Sequence, residues 1–502
     1  MFLKLNCAEN FGLECLKVEV EVDINKGQTS FNIVGLGDTA IQEAKSRIYS
    51  AIKNSDFEYP YNFRILINLA PADIPKEGPA YDLPMAVGII SLHNHLQFNL
   101  ENSLFAGELA LDGSVRKTKG ILPMAIYAKQ NNIKNLFIPE ENKEEAGLIK
   151  DINIYPVKNL KQLIRHLNSQ EEIQRHVQTE SFENKQSYEL DMALVKGQEF
   201  TKRALEIAAS GSHNILMSGP PGSGKTLLAR TLPSILPRIT QEEALEVTKI
   251  YSIAGLLNKG FINERPFRSP HHTISNVALV GGGRMPRPGE ISLSHRGVLF
   301  LDEFPEFPRQ VLEVMRQPLE DGVITISRAQ GTLTFPARFI LVASQNPCPC
   351  GYLTDPDRQC TCAPGQILRY QKKISGPLLD RIDLHIEVPR INFEKLSQDS
   401  LSENSDSIRA RVENAREIQN KRFEGKPVLT NGEMGNAEIR EHCRLKDESL
   451  ELLKTAVSQM HLSARSYNRI LKLARTIADL SGIEKIKTEH IAEALQYRNK
   501  TE

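Results

Sequence analysis

The chain has 502 residues, with 62 basic and 62 acidic side chains, a formal net charge of zero, and 40% hydrophobic and 25% charged residues. That length implies about three domains; the composition is that of a soluble globular protein, and the charge balance confines any nucleic-acid-binding surface to a local patch. No run of about 18 apolar residues is present to span a membrane, the N-terminus lacks a signal-peptide pattern, and seven cysteines in so long a chain do not make a secreted disulfide framework, so a cytoplasmic protein is expected.

Residues 1–166 read as an α/β domain. Ile65–Ala70 and Leu136–Pro139 have the apolar content of strands, and the segment from Thr39 puts Ile41, Ala44, Ile48 and Ile52 on one helical face. Pro75-Lys-Glu-Gly78-Pro79, followed by an apolar helix, and later Gly107-Glu-Leu-Ala-Leu-Asp-Gly113 resemble the proteolytic domain of Lon proteases. Where the resemblance places a nucleophilic serine this chain has Ala80, and the partner lysine is expected near Leu122, with Lys117 and Lys119 out of register. Alanine has no nucleophilic atom, so serine–lysine hydrolysis is excluded. The domain reads as an assembly or partner-binding relative of a protease, or equally as a plain folded appendage. Residues 167–190 are polar and read as a linker with a helical start.

Residues 191–392 carry the nucleotide chemistry. Val195-Lys-Gly-Gln198 precedes a helix and either touches an adenine base or is a simple turn into that helix. The apolar run Asn214–Met217 leads into Gly219-Pro220-Pro221-Gly222-Ser223-Gly224-Lys225-Thr226 and then a helix. This is the strand–GxxxxGK[ST]–helix pattern of a phosphate-binding loop. Backbone N–H groups and the helix N-terminus face the phosphates, Lys225 adds charge, and Thr226 offers its hydroxyl to Mg²⁺. Gly297–Leu301 is a buried strand ending in Asp302 and Glu303. Beside a phosphate loop, Asp302 suits the Mg²⁺ shell and Glu303 suits activation of the attacking water. Between the two motifs, Gly and Pro break a helical pattern around Arg284 and Arg287, which suggests an inserted hairpin or loop; His271 and His272 are read as structural rather than as metal ligands.

A helix is expected over 308–320. A β-hairpin follows, with Arg328 at its tip, facing either phosphate or solvent. Phe339–Ser344 is another buried strand, and Asn346 at its end can orient water or sense a γ-phosphate. Cys348, Cys350, Cys360 and Cys362 form two close pairs that suit Zn²⁺, with free thiols or redox chemistry as the alternatives. Arg381, between acids before the last strand, is either an arginine finger reaching a neighbouring subunit's nucleotide or part of a local Arg–Asp pair. Residues 393–502 are helical, and Arg465, opening the helix to Leu480, either swings onto nucleotide under this lid or is a surface charge.

Assembled, these motifs resemble the ComM family (YifB, magnesium-chelatase-like) of AAA+ ATPases. They are Val-x-Gly-Gln, the phosphate loop, Arg268-Ser-Pro-His-His-Thr, Gly-Val-Leu-Phe-Leu-Asp-Glu-Phe, Asn346-Pro-Cys-Pro-Cys-Gly, Leu379-Asp-Arg-Ile-Asp and Ser463-Ala-Arg-Ser-Tyr. The resemblance implies an AAA+ core of parallel sheet between helices, a helical lid, and a hexameric ring with ATP and Mg²⁺ between subunits. It implies that Asn346 is the first sensor, Arg381 the finger acting in trans and Arg465 the second sensor. Arg284, Arg287 and Arg328 would face a central pore. It implies a DNA helicase promoting branch migration in recombination of transforming DNA, with single-stranded and branched DNA and recombination proteins as partners. Two other classes fit an AAA+ core: the motor subunit of a magnesium chelatase, and a nucleotide-switched adaptor that remodels proteins.

Overall fold

The computed structural model describes residues 1–502 except 97, 99, 178–187, 259, 284–285, 329–330, 391–402, 461 and 499–502. Its N-terminal part is built on the strand Glu14–Lys26. Val18, Val20, Val22 and Ile24 alternate with more exposed residues, so one face of the strand is apolar. It pairs antiparallel with Phe2–Phe11 and Phe63–Ala70 inside a seven-stranded mixed sheet. The helices Thr39–Asn54 and Asp82–His93 pack into the cluster built on these valines, and Ile41, Ala44, Ile48 and Ile52 are buried as their spacing requires. Asp38 caps the first helix by accepting from the Ile41 N–H at 2.9 Å. Arg47 ties the two helices together through a fork to the buried Asp82 at 2.7 and 3.1 Å. The helix Ile121–Gln130 belongs to a separate cluster with Leu104, Leu136 and Ile138.

Residues 168–177 depart from the expected linker. No helix starts there; the helix Leu160–Leu167 ends, Ile173 is buried in the domain core, and the Ile173 N–H donates to His166 Nδ1 at 3.0 Å. One apolar side chain and one imidazole acceptor hold this polar stretch on the domain. The rest of that segment, 178–187, lies outside the described residues, as does the 392/393 boundary.

The second part is a five-stranded parallel sheet. Its order is Phe267–Arg268, Val298–Leu301, Ile340–Gln345, Ile215–Ser218, Leu384–Glu387. Every residue of Val298–Leu301 is buried, as expected for a strand covered on both faces. One core cluster runs from this sheet into the C-terminal helices through Ile470, Ala474 and Ile477 of Ala464–Leu480. Another joins it to the hairpin Val323–Arg328/Gly331–Pro336. The helix expected over 308–320 is split into Arg309–Val314 and Arg316–Asp321. Pro318 is the reason: it has no N–H to donate to the Val314 carbonyl.

The two parts share an apolar and hydrogen-bonded contact. Leu245, on the helix Gln241–Ala254, packs into the Ile121–Gln130 cluster. The Gly120 N–H donates to Ser252 O at 3.1 Å and Lys117 Nζ to Leu257 O at 2.7 Å. The turn Phe11-Gly12-Leu13 meets the hairpin, where a β-carbon on Gly12 would lie 3.2 Å from Leu333.

Candidate functional site

All five parallel strands end on one side of the sheet, and the nucleotide motifs converge there. The loop after Ile215–Ser218 passes so close to the last strand that a β-carbon on Gly219 would lie 2.2 Å from Val388 O. Gly224, at φ +88°, turns the chain into the helix Lys225–Ile235, whose first N–H groups have no side-chain cap. They point into the loop, as an anion site needs. Lys225 is buried, and its Nζ donates to Gly219 O at 2.7 Å, Pro220 O at 2.9 Å and Asn346 Oδ1 at 3.4 Å. Burial lowers the Lys225 pKa and the nearby Asp302 opposes that shift. With Ser223 Oγ at 3.5 Å as the fourth acceptor, the loop holds its own ammonium where phosphate oxygens can replace four weaker acceptors.

Asp302 is fully engaged. Its Oδ2 accepts from Thr226 Oγ1 at 2.9 Å, while Oδ1 accepts from Ser344 Oγ and from the Glu303 N–H at 3.0 Å. Thr226 and Asp302 form an oxygen-only pair of the kind Mg²⁺ takes beside phosphates, so the residues fit that ion. Glu303 sits at φ +54°, and its exposed carboxylate has one loose partner, His272 Nδ1 at 3.4 Å. His272 stacks on His271 with ring centroids 4.1 Å apart. Sequence reasoning assigned the histidine pair no role. No sequence signal placed it there: the strand before it, Phe267–Arg268, has two residues, and its neighbour is set by the order of the sheet.

Gln198 donates its amide to Pro389 O at 2.7 Å and accepts from Thr201 at 3.1 Å, and Val195 is buried in the core. Both brace the helix beside the phosphate loop.

Arg381 and Arg465 lie at the other edge of the sheet. They line a cleft of about 800 Å³ together with Asn214, Gly297 and Ile340, residues that begin strands or immediately precede them. Arg381 donates to Pro377 O at 2.6 Å and pairs with Glu320, not with either adjacent aspartate. Arg465 lies 3.8 Å from the same glutamate. Asp383 is taken by Arg469 at 2.6 Å; burial alone would raise its pKa, but Arg469 and His213 hold it below the usual carboxylate range. Arg465 therefore does not reach over the chain's own phosphate loop, as the lid reading expected, because its helix starts at the opposite sheet edge.

The inserted segment is a hairpin: Gly281–Gly282 pairs with Arg287–Pro288 between the helices Asn276–Val280 and Glu290–Leu293. The second hairpin lies against it, with Arg328 Nη2 3.4 Å from a β-carbon position on Gly282. Exposed Arg287 and Arg328 thus flank one glycine. Arg284 lies outside the described residues.

The four cysteines gather after Asn346. Cys348 Sγ is 3.4 Å from Cys350 Sγ and 3.7 Å from Cys360 Sγ, and all four sulfurs lie within 4.8 Å of one another. Tetrahedral Zn²⁺ with bonds of about 2.3 Å has sulfur–sulfur edges of about 3.8 Å, so the set fits a closed metal site.

Among the described residues no helix is long and apolar enough to cross a membrane. In the N-terminal part Ala80 and Leu122 are buried, Lys117 is spent on Leu257 O, and Lys119 packs against Gly255.

Residues 191–396 match the family described as magnesium chelatase, subunit ChlI; residues 20–142 match subunit ChlI of Mg-chelatase; and residues 402–498 match the ChlI C-terminal family. The chain is 44% identical over 497 residues to the competence protein ComM of Haemophilus influenzae, covering 97% of this chain and 96% of that protein. It is 42% identical over 491 residues to the uncharacterized protein YifB of Escherichia coli, covering 97% and 95%. Over 165 residues it is 27% identical to Lon protease 2 of Bacillus subtilis, covering 30% of this chain and 29% of that one.

Proposed function

Because this chain belongs to the ComM/YifB family of magnesium-chelatase-like AAA+ ATPases, we propose that it is an ATP-driven DNA motor, working as a cytoplasmic hexameric ring. It promotes branch migration during homologous recombination of transforming DNA, and the competence name of its Haemophilus relative supports that setting. The observation that carries the reading is the pairing of two hairpins, with exposed Arg287 and Arg328 around Gly282, on a core that also holds the phosphate loop. Such charges grip a backbone without reading sequence, so binding is salt-sensitive. ATP sits on Lys225 and the loop amides, with Mg²⁺ held by Thr226 and Asp302. Glu303 activates water and Asn346 senses the γ-phosphate. Arg381 and Arg465 act on the nucleotide of the adjacent copy, and Zn²⁺ occupies the four cysteines.

The test is ATP turnover with and without single-stranded DNA, at low and high salt. Stimulation that salt removes, and that Arg328→Ala weakens while basal turnover persists, supports the motor. Absence of stimulation by any DNA form moves the reading to a chelatase-like or protein-remodelling ATPase, and the ChlI descriptions of the three matching families name the first of these.

A further inference from the structure

We infer that the four-cysteine loop is a positioning element of the nucleotide site, so that ATP affinity depends on the metal the loop holds. This rests on the zinc reading above.

The loop is bound to the phosphate site from two directions. Cys348 follows Asn346 by two residues, and Asn346 Oδ1 accepts from Lys225 Nζ at 3.4 Å. Gly351, one residue after Cys350, lies directly on the phosphate loop: a β-carbon there would sit 2.6 Å from Pro221 Cδ and 3.8 Å from Asn346 Cγ. Gly351 stands at φ +84° and its N–H donates to Cys348 O at 3.0 Å, so the ligand-bearing turn and the wedge on Pro221 are one structure. A third tie runs through Arg390, which pairs with Asp355 of the loop at 2.9 Å and lies 5.7 Å from the Tyr352 ring. Arg390 adjoins Pro389, whose carbonyl receives Gln198.

Nothing apolar fixes this loop independently. Residues 349–363 contain no helix or strand, and only Gly351 among them is buried. A segment of that length without a core holds one shape only if something cross-links it. The Arg390–Asp355 pair and Arg358 on Tyr352 fasten its middle; the sulfur cluster is the cross-link that joins its two ends, and a closed metal site supplies the free energy for it. Without the metal the wedge on Pro221 loosens, and the phosphate loop and Asn346 lose a wall. The expected deficit is in nucleotide binding, because Asp302 and Glu303 are carried by a different, fully buried strand.

The experiment uses the full chain. Zinc per chain is measured, the metal is stripped with a mercurial thiol reagent plus chelator, and excess dithiothreitol then restores the thiols. Binding of a fluorescent ATP analogue is titrated before stripping, after it, and after adding Zn²⁺ back. Affinity is expected to fall at least tenfold on stripping and to return with one equivalent of zinc. The double variant Cys360→Ser/Cys362→Ser is expected to reproduce the loss with unchanged circular dichroism. Gly351→Ala keeps all four ligands but strains the turn at φ +84° and crowds Pro221; with its zinc content measured alongside, it is expected to raise KM for ATP at least tenfold and keep kcat at saturating ATP within threefold. A loss of folded protein would lower kcat without moving KM. Stripped protein that binds nucleotide within twofold of loaded protein overturns the coupling, as does a Gly351→Ala chain with wild-type KM. A chain that takes up no zinc overturns the metal reading itself, a separate result.

Discussion

Glu303→Gln isolates the hydrolytic step. Two carboxylates stand at the end of the Val298–Leu301 strand, and only one is available as a base. Asp302 is committed on both oxygens, to Thr226 on one and to Ser344 and the Glu303 N–H on the other. Glu306, the next acid along, is paired with Lys373 at 2.9 Å. Among the described residues, Glu303 has only the His272 contact at 3.4 Å. Glutamine keeps the size of the side chain and removes its basicity, and no described carboxylate can stand in. The full contribution of a positioned base is then lost, about 10²- to 10⁴-fold in turnover, or about 2.7–5.5 kcal/mol of barrier. Lys225, Thr226 and the loop amides are untouched, so affinity for ATP should stay within a few-fold. The assay is phosphate release at saturating Mg·ATP beside a fluorescent-nucleotide titration. A variant that turns over within threefold of wild type would refute the assignment of Glu303, and one that loses binding as much as turnover would place the residue in the ground-state site.

Lys225→Ala removes about two charge-assisted phosphate bonds at about 1.5–3 kcal/mol each, so nucleotide affinity should fall at least about 10²-fold by equilibrium titration. His272→Ala releases Glu303 from a partly exposed pair of the kind worth about 0.2–1 kcal/mol, so basal turnover should rise about 1.4- to 5-fold; a fall beyond tenfold would give His272 a chemical role instead. Glu9 is buried against Tyr81 and the Glu77 N–H, and burial pushes its carboxyl up to about 7. The unfolded value is about 4.3, so between those values the fold holds a proton that the unfolded chain releases, and stability falls as pH rises through that window. Denaturant midpoints of the N-terminal domain should show about 3 kcal/mol less stability at pH 8 than at pH 5 from this group. Glu9→Gln should flatten that difference, and an unchanged pH slope would refute the attribution.

The nucleotide motifs were legible because each carries its chemistry in consecutive residues. A glycine-rich loop between a strand and a helix, and two acids closing an apolar strand, admit few other folds. The hairpin that carries Arg287 was legible for a similar reason: a cluster of glycines and prolines disfavours an uninterrupted helix. What escaped depended on the order of strands in space. His272 meets Glu303 because the two-residue strand Phe267–Arg268 lies beside Val298–Leu301, and a strand that short has no periodicity to detect. Arg465 looked like a lid residue over its own nucleotide, yet its helix begins at the opposite edge beside Glu320, a partner more than a hundred residues away in sequence. Residues 168–177 read as linker because one buried isoleucine among polar neighbours gives no pattern.

The N-terminal domain's grip on the ATPase core sets where the protein can be divided. Leu245 packs, half-buried, against one domain's core while belonging to the other, and the Phe11–Leu13 turn closes over Leu333. A chain trimmed to begin at residue 191 would present those leucines to water, take Lys117 from the Leu257 carbonyl and leave Ser252 O with the Gly255 N–H alone. Such a fragment should aggregate even though every nucleotide motif is intact. Position 80 and the contact with the core make separate demands on the same domain: a residue without a nucleophilic atom at the first leaves the second untouched.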